Sequence, residues 1–350
     1  MKSSNINFFK TLLTSFIIIL FFSILPNSIS IIEKNFKPNQ VVLNSSKQNF
    51  DEILYKQKKN DKDFENSKKR FVWNIFQDID VFGKNEDIEV PPRLSASTIE
   101  QLFNDNGYNL DLVKETKLVN GGNQLTRLPK ELKNIESSKK RKELFIKIVL
   151  PLILEENLKI RFDRKKLFEI LNKNNNTKLD KAWLDLKFKQ YGIKNYNLTK
   201  LKIRMDEIPV SLAIAQAAKE TGWGSSRFAQ EGNALFGQWT WSGEGIKPLD
   251  VKKNEKHKVA KFKILKASVK AYQRNLNTHS SYKVFRIERA IQRDNDEKLD
   301  SLKLVNFLEK YAETGIEYTE ILKKIIRQNN LKDFDDVEIL PTSLKMKNLI

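Results

Sequence analysis

Glu220 is the residue of this chain best placed to do chemistry. It closes the stretch Ile208-Pro-Val-Ser-Leu-Ala-Ile-Ala-Gln-Ala-Ala-Lys-Glu220-Thr-Gly-Trp-Gly224, in which Ala, Ile and Leu recur at helical spacing. Ala213, Gln216 and Ala217 precede it at positions that share or border its face of a helix. A carboxyl on the packed side of a helix is desolvated, which disfavours its charged form and raises its pKa. That is the condition for a proton donor near neutral pH, and lysozyme holds its general acid in this way, against a tryptophan. Trp223 supplies the tryptophan here. The chemistry indicated is protonation of a glycosidic oxygen. On position alone, the competing reading is an ordinary surface carboxylate at a helix end.

The helix that carries Glu220 has readable ends. Pro209 fits the first turn, where its missing N–H is not needed. Asp206 and Glu207 stand just before it, as a helix N-terminus favours, and Gly222 and Gly224 stop it. Val210, Ala213, Ile214, Ala217 and Thr221 form one expected buried stripe.

Composition narrows the alternatives. The chain has 350 residues, room for one large domain or two ordinary ones, and is 40% apolar. It has no cysteine, which excludes disulfides, thiolate metal ligands and a thiol nucleophile. Its only histidines, His257 and His279, sit in no H-E-x-x-H or related pattern, so neither a metal nor any other cofactor is expected. The net charge of +19 favours anionic partners: nucleic acid, a membrane surface or an acidic wall polymer. No RNP, KH or zinc-finger pattern is present, so no specific nucleic-acid partner is expected. A Lys-, Asn- and Ile-rich compositional bias explains the charge equally well.

Residues 1–30 read as an export signal or N-terminal anchor. Lys2 and Lys10 precede the apolar run 12–25, shorter than the ~20 residues of a membrane span, and Ser28-Ile29-Ser30 offers small residues for cleavage. Membrane contact is expected through this segment alone, with the protein exported to the periplasm or cell envelope. Residues 31–92 are polar and read as a disordered tether. The domain is expected over 93–335, in a helical N-terminal part (93–205) and a core (206–335), followed by a tail (336–350). Helices are expected from Ser97, over 139–160 with a bend or break at Pro151, over 165–171 and over 182–191. After the Glu220 helix, the Gly- and aromatic-rich stretch 233–241 and the alternating segment 259–264 predict a β-hairpin lobe. Helices then resume around 265–276, 302–311 and 318–326.

The stretch Ile208 to Trp239, Ile-Pro-Val-Ser-Leu-Ala-Ile-Ala-Gln-Ala-Ala-Lys-Glu-Thr-Gly-Trp-Gly-Ser-Ser-Arg-Phe-Ala-Gln-Glu-Gly-Asn-Ala-Leu-Phe-Gly-Gln-Trp, resembles the core motif of the Bax-type glucosaminidase-domain proteins. These are related to the endo-β-N-acetylglucosaminidases of glycoside hydrolase family 73. Asn275-Leu-Asn-Thr-His279 with Tyr282, Tyr311-Ala-Glu-Thr-Gly-Ile-Glu-Tyr318, Gly107–Val113 and Lys142–Pro151 resemble further segments in order, so the likeness spans roughly 95–330. It implies a mainly α, lysozyme-like α+β domain with a small β-hairpin lobe beside an active-site groove. It implies Glu220 as catalytic acid, Tyr311 as a supporting residue, and the GlcNAc–MurNAc glycan strands of peptidoglycan as substrate. A second carboxylate is common in the lobe of relatives. Glu244, Asp250 and Glu255 are the candidates, with Glu244 or Glu255 preferred, while Lys258 stands after His257 where relatives often carry an acid.

Trp223, Phe236, Trp239 and Trp241 are candidate sugar-stacking surfaces, each with core packing as the alternative. Gln216, Asn233 and Gln238 are candidate polar contacts to the glycan, with turn stabilisation as the alternative for Gln216 and Asn233. Tyr282 and Tyr318 read as core, and His279 as a structural residue at a helix C-terminus. Two other functions remain open: a lytic transglycosylase or muramidase on the same fold, and a wall-binding protein without turnover. Oligomeric state is not legible.

Overall fold

The computed structural model describes residues 92–121, 125–240, 245–247 and 258–340. The expected signal segment, nearly all of the tether, Trp241, Glu244, Asp250, Glu255 and His257 lie outside them.

Helices dominate. In chain order they are α1 (Ala96–Asp105), α2 (Leu110–Thr116), α3 (Ser138–Leu171), α4 (Lys178–Gln190), α5 (Leu198–Arg204) and α6 (Val210–Thr221). There follow α7 (Arg227–Gly232), α8 (Leu265–Thr278), α9 (Lys283–Asp294), α10 (Ser301–Val305) and α11 (Ile316–Gln328). The lobe is a three-stranded antiparallel sheet rather than the expected hairpin: β2 (Trp239–Thr240), β3 (Gly245–Ile246), which arises within the expected loop, and β4 (Lys258–Ala260), with β4 in the centre. The pairing Trp239–Val259 sets its register on one side and Ile246–Val259 on the other. The mainly α architecture with a small β lobe is thus as the sequence led one to expect.

Helix α6 lies at the centre, packed against α3, α10, α11 and a 3-10 turn at Leu331–Phe334. The expected single stripe is too narrow: every residue of α6 from Val210 to Ala218 is buried, and Thr221 with them. The cause is its alanines at 213, 215, 217 and 218, whose small side chains let neighbours close in on all faces. Only Lys219 and Glu220 escape full burial.

Pro151 does not break its helix, and residues 165–171 belong to the same 34-residue α3 rather than to a separate one. An interior proline costs about 3 kcal/mol. Against this, Ile148, Val149, Leu150, Leu152, Ile153 and Leu154 are each no more than 1% exposed, and each buried aliphatic side chain contributes about 1.5–3 kcal/mol. Packing wins. The expected helix over 302–311 is also corrected. It divides into α10 and a 3-10 turn at Glu309–Tyr311, with Asp300 capping α10 through Leu302 N and Lys303 N.

Glu338–Leu340, expected in the tail, is a strand, β5, that pairs in parallel with β1 (Leu118–Asn120). The folded body therefore extends to Leu340. Among the described residues no helix is long and apolar enough to cross a membrane.

Candidate active site

Glu220 occupies the last turn of the central helix. The chain then turns through three successive left-handed residues, Gly222, Trp223 and Gly224. Trp223 N–H returns to Ala218 O at 3.0 Å, and Gly224 N–H donates to Thr221 Oγ1 at 2.9 Å. Gly224 is there for space as well as for its positive φ, since a Cβ would stand 2.9 Å from the Phe145 ring. The turn is fastened to α3: the Trp223 ring packs edge-on to Phe145, with Lys142 Nζ 5.0 Å from its centroid.

The other end of α6 is clamped. Pro209 is the N-cap, outside the helix, and has no side chain able to cap. Asp335 supplies the missing acceptor, taking Ser211 N–H and Ser211 Oγ–H, both at 2.8 Å. Burial pushes the Asp335 carboxyl up to about 6 despite these bonds. Asn157 of α3 brackets Ile208, donating to its carbonyl at 2.7 Å and accepting its N–H at 3.3 Å. Asp206 and Glu207 are not bystanders to a helix dipole: buried Asp206 faces Arg164, Arg289 and Arg293, and Glu207 pairs with Arg293 at 2.6 Å. Arg289, fully buried, donates to the carbonyls of Ile203, Asp206 and Glu207. A helix held so firmly at its start delivers Glu220 at a fixed height and rotation.

The segment Asn233–Gln238 crosses in front of Glu220. Leu235 N–H donates to Ser268 Oγ at 3.0 Å, and the Tyr311 hydroxyl donates to Phe236 O at 2.9 Å. The φ of +59° at Gly237 brings its main chain against the carboxyl, so that a Cβ there would stand 3.0 Å from Glu220 Oε2.

Aromatic hydroxyls complete the surroundings. The Tyr318 hydroxyl faces the Glu220 carboxyl and accepts from Gln216 Nε2 at 3.0 Å. Gln216 Oε1 accepts from the Tyr272 hydroxyl at 2.7 Å. The Tyr311 and Tyr318 rings stack with centroids 5.5 Å apart, and Tyr282 lies 5.9 Å from Tyr311. Burial holds the Glu220 carboxyl above its usual value, opposed by the Tyr318 hydrogen bond and the Lys219 charge. Burial also drives the tyrosines up, Tyr282 to about 12, with the Glu220 charge adding to the effect on Tyr282, Tyr311 and Tyr318. The tyrosines are therefore neutral donors throughout the physiological range, and Glu220 is a carboxyl biased toward its protonated form.

The predicted site residues divide. Glu220 and Tyr311 come together, and the main chain of Gly237, not among the predicted residues, joins them. Gln216 is fully buried with both ends of its amide engaged, so it faces the tyrosines rather than a glycan. Asn233 adopts a left-handed cap after α7, and its amide donates to the carbonyls of Phe262 and Lys263, which fastens the lobe. Phe236 is 1% exposed and stacks on Tyr272 at 3.8 Å, so its ring is core while its carbonyl serves Tyr311. Trp223 packs on α3, and Trp239 enters β2. Gln238 is half-buried; its carbonyl accepts from Ala260 N at 2.7 Å, and its side-chain Oε1 has no partner among the described residues.

The sequence reads Tyr318 as core; its ring is buried as expected, and its hydroxyl also meets Gln216 and faces Glu220. The signal for it lay in Gln216 and Glu220, two polar residues one turn apart on an apolar helix, which demand polar partners. Asp335 left no local signal, because it caps a helix far from it in sequence. Among the described residues no group of three or more His, Asp or Glu side chains is placed to hold a metal ion.

A sequence profile described as mannosyl-glycoprotein endo-beta-N-acetylglucosaminidase, a glucosaminidase family, matches residues 197–331. The chain is 30% identical to Protein bax of Escherichia coli (strain K12) over 205 residues, which covers 57% of this chain and 73% of that protein. Among solved structures, the catalytic domain of the autolysin Auto from Listeria monocytogenes aligns with 49% of this chain and 97% of its own, at 20% identity and a TM-score of 0.30.

Proposed function

The chain belongs to the Bax-type glucosaminidase-domain proteins, and from that premise we propose that it is a peptidoglycan hydrolase with Glu220 as its general acid. The substrate in this reading is the β-1,4-linked GlcNAc–MurNAc glycan strand, and the bond cut is that of an endo-β-N-acetylglucosaminidase. The observation that supports it best is the state of Glu220: a carboxyl at the end of a buried helix, shifted toward protonation by burial, in contact with a neutral tyrosine donor.

In this mechanism the protonated Glu220 delivers its proton to the glycosidic oxygen as the bond breaks, and water adds to the anomeric carbon to complete the hydrolysis. Tyr318 donates to the carboxylate that results and stabilises it. Tyr311 acts through the main chain: its hydroxyl holds the Phe236 carbonyl, and so the Gly237 segment, against the acid. Glu244 and Glu255 are the proposed sources of a second carboxylate. The protein acts outside the cytoplasm in this reading, where its substrate is.

Product analysis of digested sacculi tests the proposal. Wild-type protein is expected to release fragments with reducing GlcNAc ends, and Glu220→Gln none. Anhydro- or reducing MurNAc ends would assign the other bond, and equal behaviour of wild type and Glu220→Gln would leave a binding protein.

A further inference from the structure

We infer that Gln216 and Tyr272 are positioning residues for Glu220, because they fix the direction in which the Tyr318 hydroxyl spends its single proton. This rests on the reading of Glu220 as the acid.

Four groups run in line from α8 through α6 and α11 and back to the end of α6: Tyr272, Gln216, Tyr318 and Glu220. The rings cannot move. Tyr272 is sandwiched on Phe236 at an interplanar angle of 7°, and Tyr318 on Tyr311 at 6°. Gln216, Tyr272 and Tyr318 are each no more than 1% exposed, so no solvent reaches them to supply other partners. What remains free is the sense of the chain, that is, which way the amide faces and where each hydroxyl proton points.

Tyr272 sets that sense. Its proton goes to Gln216 Oε1, which turns Nε2 toward Tyr318. Nε2 only donates, so the Tyr318 oxygen accepts and its proton is left for Glu220. The reversed amide would place Oε1 at Tyr318 and take that proton. It would also require a new acceptor for the Tyr272 proton in a buried aromatic setting, and a buried donor without a partner is strongly disfavoured. With the sense fixed, protonated Glu220 receives Tyr318 on its bare oxygen, so its own proton stays on the other one, free for transfer. Reversed, the acid would give its proton to Tyr318.

The other charged or titratable groups that face Glu220 among the described residues are Lys219 on its own helix, Tyr311 before α11 and Tyr282 before α9. None of them bonds to Gln216. The hydrogen bonds from Tyr272 to Gln216 and from Gln216 to Tyr318 therefore act on Glu220 through Tyr318 alone.

The test uses Tyr272→Phe and Gln216→Met in the full chain, alone and combined with Tyr318→Phe. Two readouts are taken: the basic limb of the pH–rate profile on peptidoglycan, and the NMR titration of the Glu220 carboxyl carbon. Each single variant is expected to move both upward by about half a pH unit or more, since a donor to the charged form is weakened. In the Tyr318→Phe background neither is expected to add anything. Tyr272→Phe keeps the ring and its stacking, so it carries the test if Gln216→Met does not fold. An unmoved Glu220 titration in Tyr272→Phe, or an equal shift with and without the Tyr318 hydroxyl, overturns the inference. Turnover by Glu220→Gln overturns the reading of the acid instead, and the NMR titration still decides the hydrogen-bond line.

Discussion

Gly237 and Glu220 are in contact across the site: a Cβ on Gly237 would stand 3.0 Å from Glu220 Oε2, on a backbone with φ +59°. Two separate demands meet at one glycine, left-handed conformation and absence of a side chain. Alanine violates both. A non-glycine residue in this region costs about 1–2 kcal/mol, so Gly237→Ala is expected to lower the melting temperature by a few degrees. Asparagine tolerates the conformation better but still carries a Cβ. Gly237→Asn is therefore expected to recover stability without recovering turnover. Thermal unfolding and turnover measured side by side check this; full activity in Gly237→Asn would show that the close approach is irrelevant to the acid.

Burial that readies Glu220 for proton transfer works against folding. Its folded pKa is raised above 4.5, so the native state binds the proton more tightly than the unfolded chain does. The sign follows: the stability it contributes is complete below the unfolded value and is lost as pH rises through the folded one. Glu220→Gln keeps the shape and removes the titration. It is expected to be inactive and, at pH 7–8, more stable than wild type, with the gain vanishing at about pH 4. Denaturant unfolding at both pH values checks this, and a variant less stable than wild type at neutral pH would contradict it.

Much of this was legible from local pattern. The helix of Glu220, its stop at Gly222 and the lobe after it followed from periodicity, glycine placement and alternation. What failed failed for tertiary reasons. Pro151 looked like a break because its cost is local, whereas the burial that outweighs it comes from other helices. Gln216 and Asn233 looked like ligand contacts because a polar residue in a motif has no visible partner until the chain folds; their partners lie on α8, α11 and the segment after β4. Tyr318 looked like core because its ring is core, and only the fold shows where its hydroxyl points.

The excess of positive charge gives the proposed substrate a second test. If the proposed substrate is right, the net charge of +19 would attract an anionic wall polymer through interactions that salt screens, over a Debye length of about 8 Å at physiological ionic strength. Sedimentation with purified sacculi is expected to weaken progressively from low salt to about 0.5 M NaCl. Glu220→Gln is expected to sediment like wild type, since it removes the acid and leaves the basic surface intact. Binding that ignores salt would count against an electrostatic contribution.

Asp335 and Ser211 link the C-terminal segment to the start of α6. Pro209 cannot cap α6, and the two 2.8 Å bonds from Ser211 to Asp335 do that work from another part of the chain. Removing a helix cap costs about 1–2 kcal/mol, and Asp335→Ala is expected to fall in that range. Because the helix runs from Ser211 to Glu220, some loss of turnover is expected to accompany it. Asp335 titrates at about 6 in the folded protein against an ordinary 3.8, so its contribution to stability declines as pH rises from about 4 to about 6 and is level above. Asp335→Asn keeps an acceptor for Ser211 N–H and abolishes that slope. Unfolding free energies of wild type, Asp335→Ala and Asp335→Asn at pH 4, 5, 6 and 7 check both parts. A wild-type slope that persists unchanged in Asp335→Asn would show that the pH dependence arises at another carboxyl, and an Asp335→Ala variant as stable as wild type would show that α6 needs no cap.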